Sequence, residues 1–190
     1  MRPALHRQDR SLSLSASALE PEFVVLGLLL QEPLHGYDLH RRLQVEFRGI
    51  WRISLSQVYN ILKRLEGQGD LTSEFQAGKS LHPRRLHRVT RAGEIRFRRW
   101  LETPTPASVR AIRVAFLTRL YFTLTEDRDR AAELVDNQQA SLIADLERLS
   151  KAAALLSEGN RFPQLALSLR IRQLQATLEW MRDTQHALGL

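Results

Sequence analysis

Ser56, Gln57, Asn60, Lys63 and Arg64 punctuate the stretch SLSQVYNILKRLEGQGDL (54–71), and Leu55, Val58, Ile61, Leu62 and Leu65 fill the positions between them. At about 100° per residue the two sets occupy opposite arcs of one helix. The polar arc carries amides, hydroxyls and two cations, with no carboxylate before Glu66. Amides pair bidentately with an adenine edge, cations meet guanine or phosphate, and hydroxyls meet either. Such an arc has the chemistry of a surface that meets an anion.

The charge of the chain is placed accordingly. The net charge is +7, and residues 1–103 hold 17 Lys and Arg against 11 Asp and Glu, whereas residues 104–190 are nearly balanced, with 11 against 10. Eight cations (Lys79, Arg84, Arg85, Arg88, Arg91, Arg96, Arg98, Arg99) face the single Glu94 between positions 79 and 99. A block of this kind neutralises phosphates and releases counterions. Its plainer reading is a solvated surface in a chain that uses 25 Arg and 3 Lys.

The elements that must position these groups follow from periodicity. Residues 1–19 are polar and serine-rich, which predicts a flexible tail. The apolar run FVVLGLLL (23–30) predicts a buried helix, with a strand as the alternative, ended by Pro33. Leu39, Leu43 and Phe47 stand four apart in a second helix, with Gly49 at its C-terminal cap. Ser54 and Gln57 have the spacing of a capping box, so the third helix starts at about Ser54 and runs to Gly67 or Gly69. LTSEFQA (71–77) alternates as a strand, GKSLHP (78–83) turns, and RRLHRV (84–89) returns. Thr90 caps a further helix with Ile95, Trp100 and Leu101 on its inner side.

PTP (104–106) marks a boundary. Beyond ASVRAIRVAFLTRLYFTL (107–124), Val135, Leu142, Leu149 and Leu156 recur at seven, interleaved with Ala132, Gln139, Leu146 and Ala153. Leu167, Ile171, Leu174, Leu178, Met181, Gln185 and Leu188 then alternate four and three. These are coiled-coil seams, and the turn EGNRFP (158–163) folds them into an antiparallel hairpin. A seam closes within one chain or against a second one. The apolar residues off the seam (Leu134, Ile143, Leu155, Leu165, Leu169, Trp180) favour a second contact, which a homodimer supplies.

Other chemistries find little support. The chain has no cysteine, which removes disulfides and thiolate sites, and it lacks G-x-S-x-G, H-E-x-x-H and a phosphate-cradling glycine loop. No enzymatic activity and no cofactor are expected. His82 and His87 lack metal-ligand spacing, and a histidine in a basic wing is more simply a phosphate or solvent contact. The eight-residue apolar run falls short of the roughly 18 to 20 residues that span a bilayer, and no cleavage pattern follows it, so a cytoplasmic protein is expected.

Three helices, a two-stranded ribbon and another helix within some 80 residues is the element order of a winged helix-turn-helix, whose third helix enters the major groove. The expected fold is therefore mostly α: a winged helix in 20–102 and an antiparallel helical dimerisation domain in 107–190. LGLLLQEPLHGYDLHRRL (26–43) followed by WRISLSQVYNILKRLEGQGDL (51–71) resembles the amino-terminal domain of the PadR family of bacterial transcriptional regulators. The matching features are Leu26-Gly27-Leu28-Leu29, His35-Gly36-Tyr37, Ser56-Gln57-Val58-Tyr59, Leu62-x-Arg64-Leu65-Glu66, Pro83-Arg84-Arg85 and Thr90-x-x-Gly93. Asn60 stands where the family often has Pro, and Leu86 and His87 where it often has two tyrosines.

The resemblance implies repression of a nearby operon, often relieved by a small ligand, by a dimer joined through carboxy-terminal helices. The expected contacts to double-stranded DNA, an inverted-repeat operator, are His35, Tyr37, Ser54, Ser56, Gln57, Tyr59, Asn60, Lys63, Arg64, Lys79, Ser80, His82, Arg84 and Arg85. Tyr59 borders the apolar arc, where it is a core aromatic or a phosphate contact, and the resemblance favours the contact. His35 and Tyr37 open the second helix as phosphate contacts or as plain caps. Val135, Leu142, Leu146, Leu149, Leu167, Ile171, Leu174, Leu178 and Met181 are the expected dimer residues. Trp51, Trp100 and Trp180 are candidates to line an effector pocket, Trp51 and Trp100 first among them, with core packing the favoured role for each. The competing reading is a helical protein-interaction module with an incidental basic surface.

Overall fold

The computed structural model describes residues 20–76, 84–156 and 161–190. The serine-rich tail, the expected turn with Lys79, Ser80 and His82, and the first part of the expected turn at 158–163 lie outside the described residues. The chain divides after Thr103 into two compact units.

The first unit is built on α1 (Glu22–Gln31), a helix rather than the alternative strand. Phe23 to Leu29 are all buried, because α1 is enclosed by the unit's other elements and has no solvated face to keep polar. After Pro33, β1 (Leu34–His35) runs into α2 (Gly36–Glu46), which buries Leu39 and Leu43; Gly49 follows at φ +84°. The capping box of α3 (Leu55–Gly67) is complete: Ser54 Oγ accepts from Gln57 N at 3.3 Å, and Ser54 N donates to Gln57 Oε1 at 2.8 Å. Val58, Ile61, Leu62 and Leu65 anchor α3 to the core.

The wing strands β2 (Leu71–Gln76) and β3 (Arg84–Val89) pair antiparallel, with Ser73 opposite His87 and Phe75 opposite Arg85. The two-residue β1 adds a third strand against the other edge of β3, through Leu34–His87 and His35–Leu86 pairs. So short a strand leaves no periodic trace in the sequence. Thr90 caps α4 (Arg91–Glu102) by accepting from Gly93 N at 3.2 Å. A Cβ on Gly93 would stand 2.3 Å from the Asp70 carbonyl oxygen, so only glycine allows α4 to pass this close to the start of β2. The inner face of α4 is formed by Phe97 and Trp100, with Ile95 turned outward at 46% exposure, against the expectation for Ile95. Trp100 stacks on Phe23 of α1 at 4.7 Å, and α1 draws that face inward.

In the second unit a short α5 (Val109–Ala111) passes through a π-helical turn (Ile112–Phe116) into α6 (Leu117–Glu126). The long helices α7 (Arg128–Ala154) and α8 (Arg161–Leu188) pack on each other. Val135, Leu142, Leu149, Leu174, Leu178 and Met181 are buried together with Ile112, Phe116 and Leu120, and Leu146, Leu167 and Ile171 pack against that core. The seam residues, expected as dimer contacts though their spacing suits one chain or two, pack inside one chain here. Along α7 the burial shifts to Ala131 and Gln138 from the expected Ala132 and Gln139, because α6 packs there as well. Buried Thr105 holds the start of this unit, its hydroxyl accepting from Arg119 at 2.6 Å and its carbonyl from Gln138 at 3.2 Å. Among the described residues no helix is long and apolar enough to cross a membrane.

Candidate nucleic-acid interface

Ser54, Ser56, Gln57, Tyr59, Asn60, Lys63 and Arg64 are all exposed on α3, opposite the buried Val58, Ile61, Leu62 and Leu65. The amphipathic split read from spacing therefore becomes a physical surface. Four side chains on it have prior commitments: Ser54 Oγ caps the helix and stands 3.0 Å from Ser56 Oγ, and Gln57 and Arg64 are engaged as well. The Gln57 carbonyl oxygen accepts from the Ser54 backbone in the capping box, which leaves its NH₂ group to reach outward. Arg64 donates to Glu22 Oε1 of α1 at 2.5 Å, so this cation is paired while still half exposed.

Beside this surface lies a cavity of about 730 Å³ lined by His35, Gly36, Tyr37, Tyr59, Leu62, Lys63, Glu66, Arg84, Arg85 and His87. It gathers the beginning of α2, the outer edge of α3 and the wing strand β3 around one space. Lys63, Arg84 and Arg85 supply cations to it, and Glu66 supplies the one carboxylate. Arg85 Nη2 donates to Glu66 Oε1 at 3.3 Å, and its guanidinium lies 5.1 Å over the Phe75 ring. The first-turn N–H groups of α2 open nearby, an arrangement that favours negative charge.

His35 does not cap α2 with its side chain. Its Nδ1 instead donates to the Arg85 carbonyl at 3.0 Å, tying the start of α2 to the wing. Tyr37 is 58% exposed and free to reach a ligand. His87, expected as a phosphate or solvent contact, is buried, with its Nδ1 hydrogen-bonded to Ser73 Oγ at 2.9 Å across the wing strands. Burial pushes its pKa below the usual histidine value; the Glu66 carboxylate opposes this, and Arg85 and His35 add to it. Sequence reasoning passed over Gly36 and Glu66 as parts of this site. Gly36 was legible as a motif residue, but no local signal shows what stands over it.

The expected effector residues separate. Trp100 is core, stacked on Phe23 and 7% exposed, and Trp51 is half buried within the loop that follows α2. Trp180 lines a cavity of about 510 Å³ in the second unit, with Val109, Ile112, Arg113, Leu117, Gln173, Ala176 and Thr177. Its π-helical wall could not be read from spacing, since the extra residue breaks the 3.6 period.

Comparison with known proteins finds relatives for both units of the chain. The model of the Transcriptional regulator PadR-like family matches residues 25–99, and that of the Virulence activator alpha C-term matches residues 112–189. A relative named Negative transcriptional regulator PadR, from Bacillus subtilis (strain 168), is 27% identical over 130 residues, covering 67% of this chain and 70% of its own. Similar solved structures include Bacillus subtilis PadR in complex with operator DNA, 23% identical, covering 88% of this chain and 98% of that one at a TM-score of 0.44. Another is the PadR-like transcriptional regulator BC1756 from Bacillus cereus, 24% identical over 88% of this chain and 95% of that one, at a TM-score of 0.42.

Proposed function

We propose that this chain, whose residues 25–99 match the PadR-like family of transcriptional regulators, is a regulator of that kind, binds an inverted-repeat operator as a homodimer and represses the genes beside it. The observation that carries the reading is the exposed polar face of α3 flanked by a cavity that Lys63, Arg84 and Arg85 make basic. In a winged helix this face enters the major groove, where Gln57 and Asn60 meet base edges, while Lys63, Arg84, Tyr37 and Tyr59 hold the phosphates. Repression is supported by the relative named as a negative regulator.

The two-fold contact falls to the face of α8 turned away from α7. Phe162, Leu165 and Leu169 are exposed there at 81, 66 and 59%, within one arc of the helix. A second copy covers them and sets two α3 helices one helical turn apart, or a multiple of it. An effector, where one acts, is seated in the cavity of Trp180 and Arg113, which is apolar with few polar groups, as small-molecule sites are.

The test is binding to duplex from the chain's own upstream region against scrambled duplex, at two salt concentrations. Preference for the upstream duplex with affinity that falls steeply with salt supports the reading. Equal and weak binding to both sinks it and turns the search to a protein partner.

A further inference from the structure

Gly36 is buried at the first position of α2, yet its φ lies outside the left-handed region, so the backbone there does not call for glycine. What calls for it is a neighbour. A Cβ at Gly36 would stand 2.6 Å from Cε1 and 3.0 Å from Cζ of Tyr59, and 3.3 Å from Leu62 Cδ1. The Tyr59 ring therefore lies against the bare backbone of Gly36, and its hydroxyl-bearing carbon sits beside the first turn of α2. The same ring is 50% exposed and shares its cavity with Lys63, Arg84 and Arg85.

A ring that is half in solvent can swing outward. A methyl group at position 36 would displace it without opening the core, since the nearest atoms belong to the far end of a mobile side chain. Leu62, at 3.3 Å, has to give only by tenths of an ångström.

We propose that Gly36 is a positioning residue for DNA binding: by carrying no side chain it lets Tyr59 lie across the N-terminus of α2 and present its hydroxyl to a backbone phosphate held in the basic cavity. This rests on the proposed operator-binding function. Tyr59 touches the ligand, and Gly36 acts through Tyr59.

A double-mutant cycle on the full chain tests it, with Gly36→Ala, Tyr59→Ala and the two together, measured against the upstream duplex. Each single substitution is expected to weaken binding about tenfold, the worth of a hydrogen bond to a charged group. The double variant is expected to bind as Tyr59→Ala does alone, because the residue through which Gly36 acts is already gone. The Gly36→Ala circular dichroism spectrum stays that of the parent. In 3-fluorotyrosine-labelled protein without DNA, the Tyr59 resonance moves in Gly36→Ala while that of Tyr121 does not.

Additive losses, an inert Gly36→Ala beside a damaging Tyr59→Ala, an inert Tyr59→Ala, or an unmoved Tyr59 resonance each overturn the role of Gly36 and leave operator binding standing. Absence of any preference by the parent protein removes both. Should Gly36→Ala fail to fold, the double variant, which lacks the ring, is expected to fold; its failure to do so shows that Gly36 serves something other than Tyr59.

Discussion

Arg85 Nη2 of the wing donates to Glu66 Oε1 in the last turns of α3 at 3.3 Å. The wing and the helix proposed to read bases are thus joined by an ion pair at the surface proposed to meet DNA. The pair is half exposed, so it contributes at most about 1 kcal/mol to stability. Its larger effect is on Arg85 itself, whose charge is partly neutralised before any phosphate arrives. Glu66→Gln is expected to raise affinity for all duplexes alike and to steepen the salt dependence, with little change in thermal midpoint. Unchanged affinity for scrambled duplex would mean that Arg85 does not meet phosphate.

Gln57 and Asn60 sit three apart on one exposed face but have different second duties. The Gln57 oxygen belongs to the capping box. Asn60→Ala is expected to relax base preference by about 1–3 kcal/mol while leaving the fold as stable as before. Gln57→Ala is expected to cost stability as well, about 0.5–2 kcal/mol on the scale of lost caps. Chemical denaturation of the two variants beside their operator titrations separates the two roles, and equal stabilities would remove the capping duty from Gln57.

Arg84 lines the basic cavity and lies outside the polar arc of α3. Arg84→Ala is expected to weaken upstream and scrambled duplexes by the same factor and to reduce the slope of log affinity on log salt by about one. A loss confined to the upstream duplex would place Arg84 on a base edge.

Burial lowers the pKa of His87 beneath its ordinary value of 6.5. The unfolded chain then takes up the proton first, so folding stability is full above about pH 6.5 and declines as the pH falls through the lower, folded value. Glu66, Arg85 and His35 are the charged groups that act on it. Thermal midpoints of the parent are expected to drop between pH 7.5 and pH 5, and His87→Leu to flatten that drop. An identical profile in the variant would assign the acid sensitivity elsewhere.

Leu142 is fully buried between α7 and α8, whereas Leu165 is 66% exposed. Leu142→Ala is expected to destabilise each chain by about 2–5 kcal/mol. Leu165→Asp is expected to leave the unfolding of the chain nearly unchanged and to shift sedimentation from dimer to monomer. A dimer that survives Leu165→Asp would move the two-fold contact off this face.

Much of this molecule is written in local chemistry. The split faces of α3, its capping box, the Thr90 cap, the alternation of β2 and the break at PTP depend on residues two to four positions apart, and spacing along the chain carries them directly. The sequence alone therefore determined the winged helix, the long helical pair and the polar arc. Tertiary structure decided which groups on that arc remain at liberty. Arg64 and Glu22 are 42 residues apart, and Arg85 and Glu66 are 19 apart; like the β1 pairing with β3 and the burial of His87, these meetings arise only when α1, α3 and β3 converge. The same holds for the seam of α7 and α8, whose apolar repeat is equally consistent with one chain or two. The antiparallel packing of the two helices within a single chain filled that seam and left Phe162, Leu165 and Leu169 among the apolar residues still open, because a helix has more than one side and periodicity does not say which neighbour arrives first.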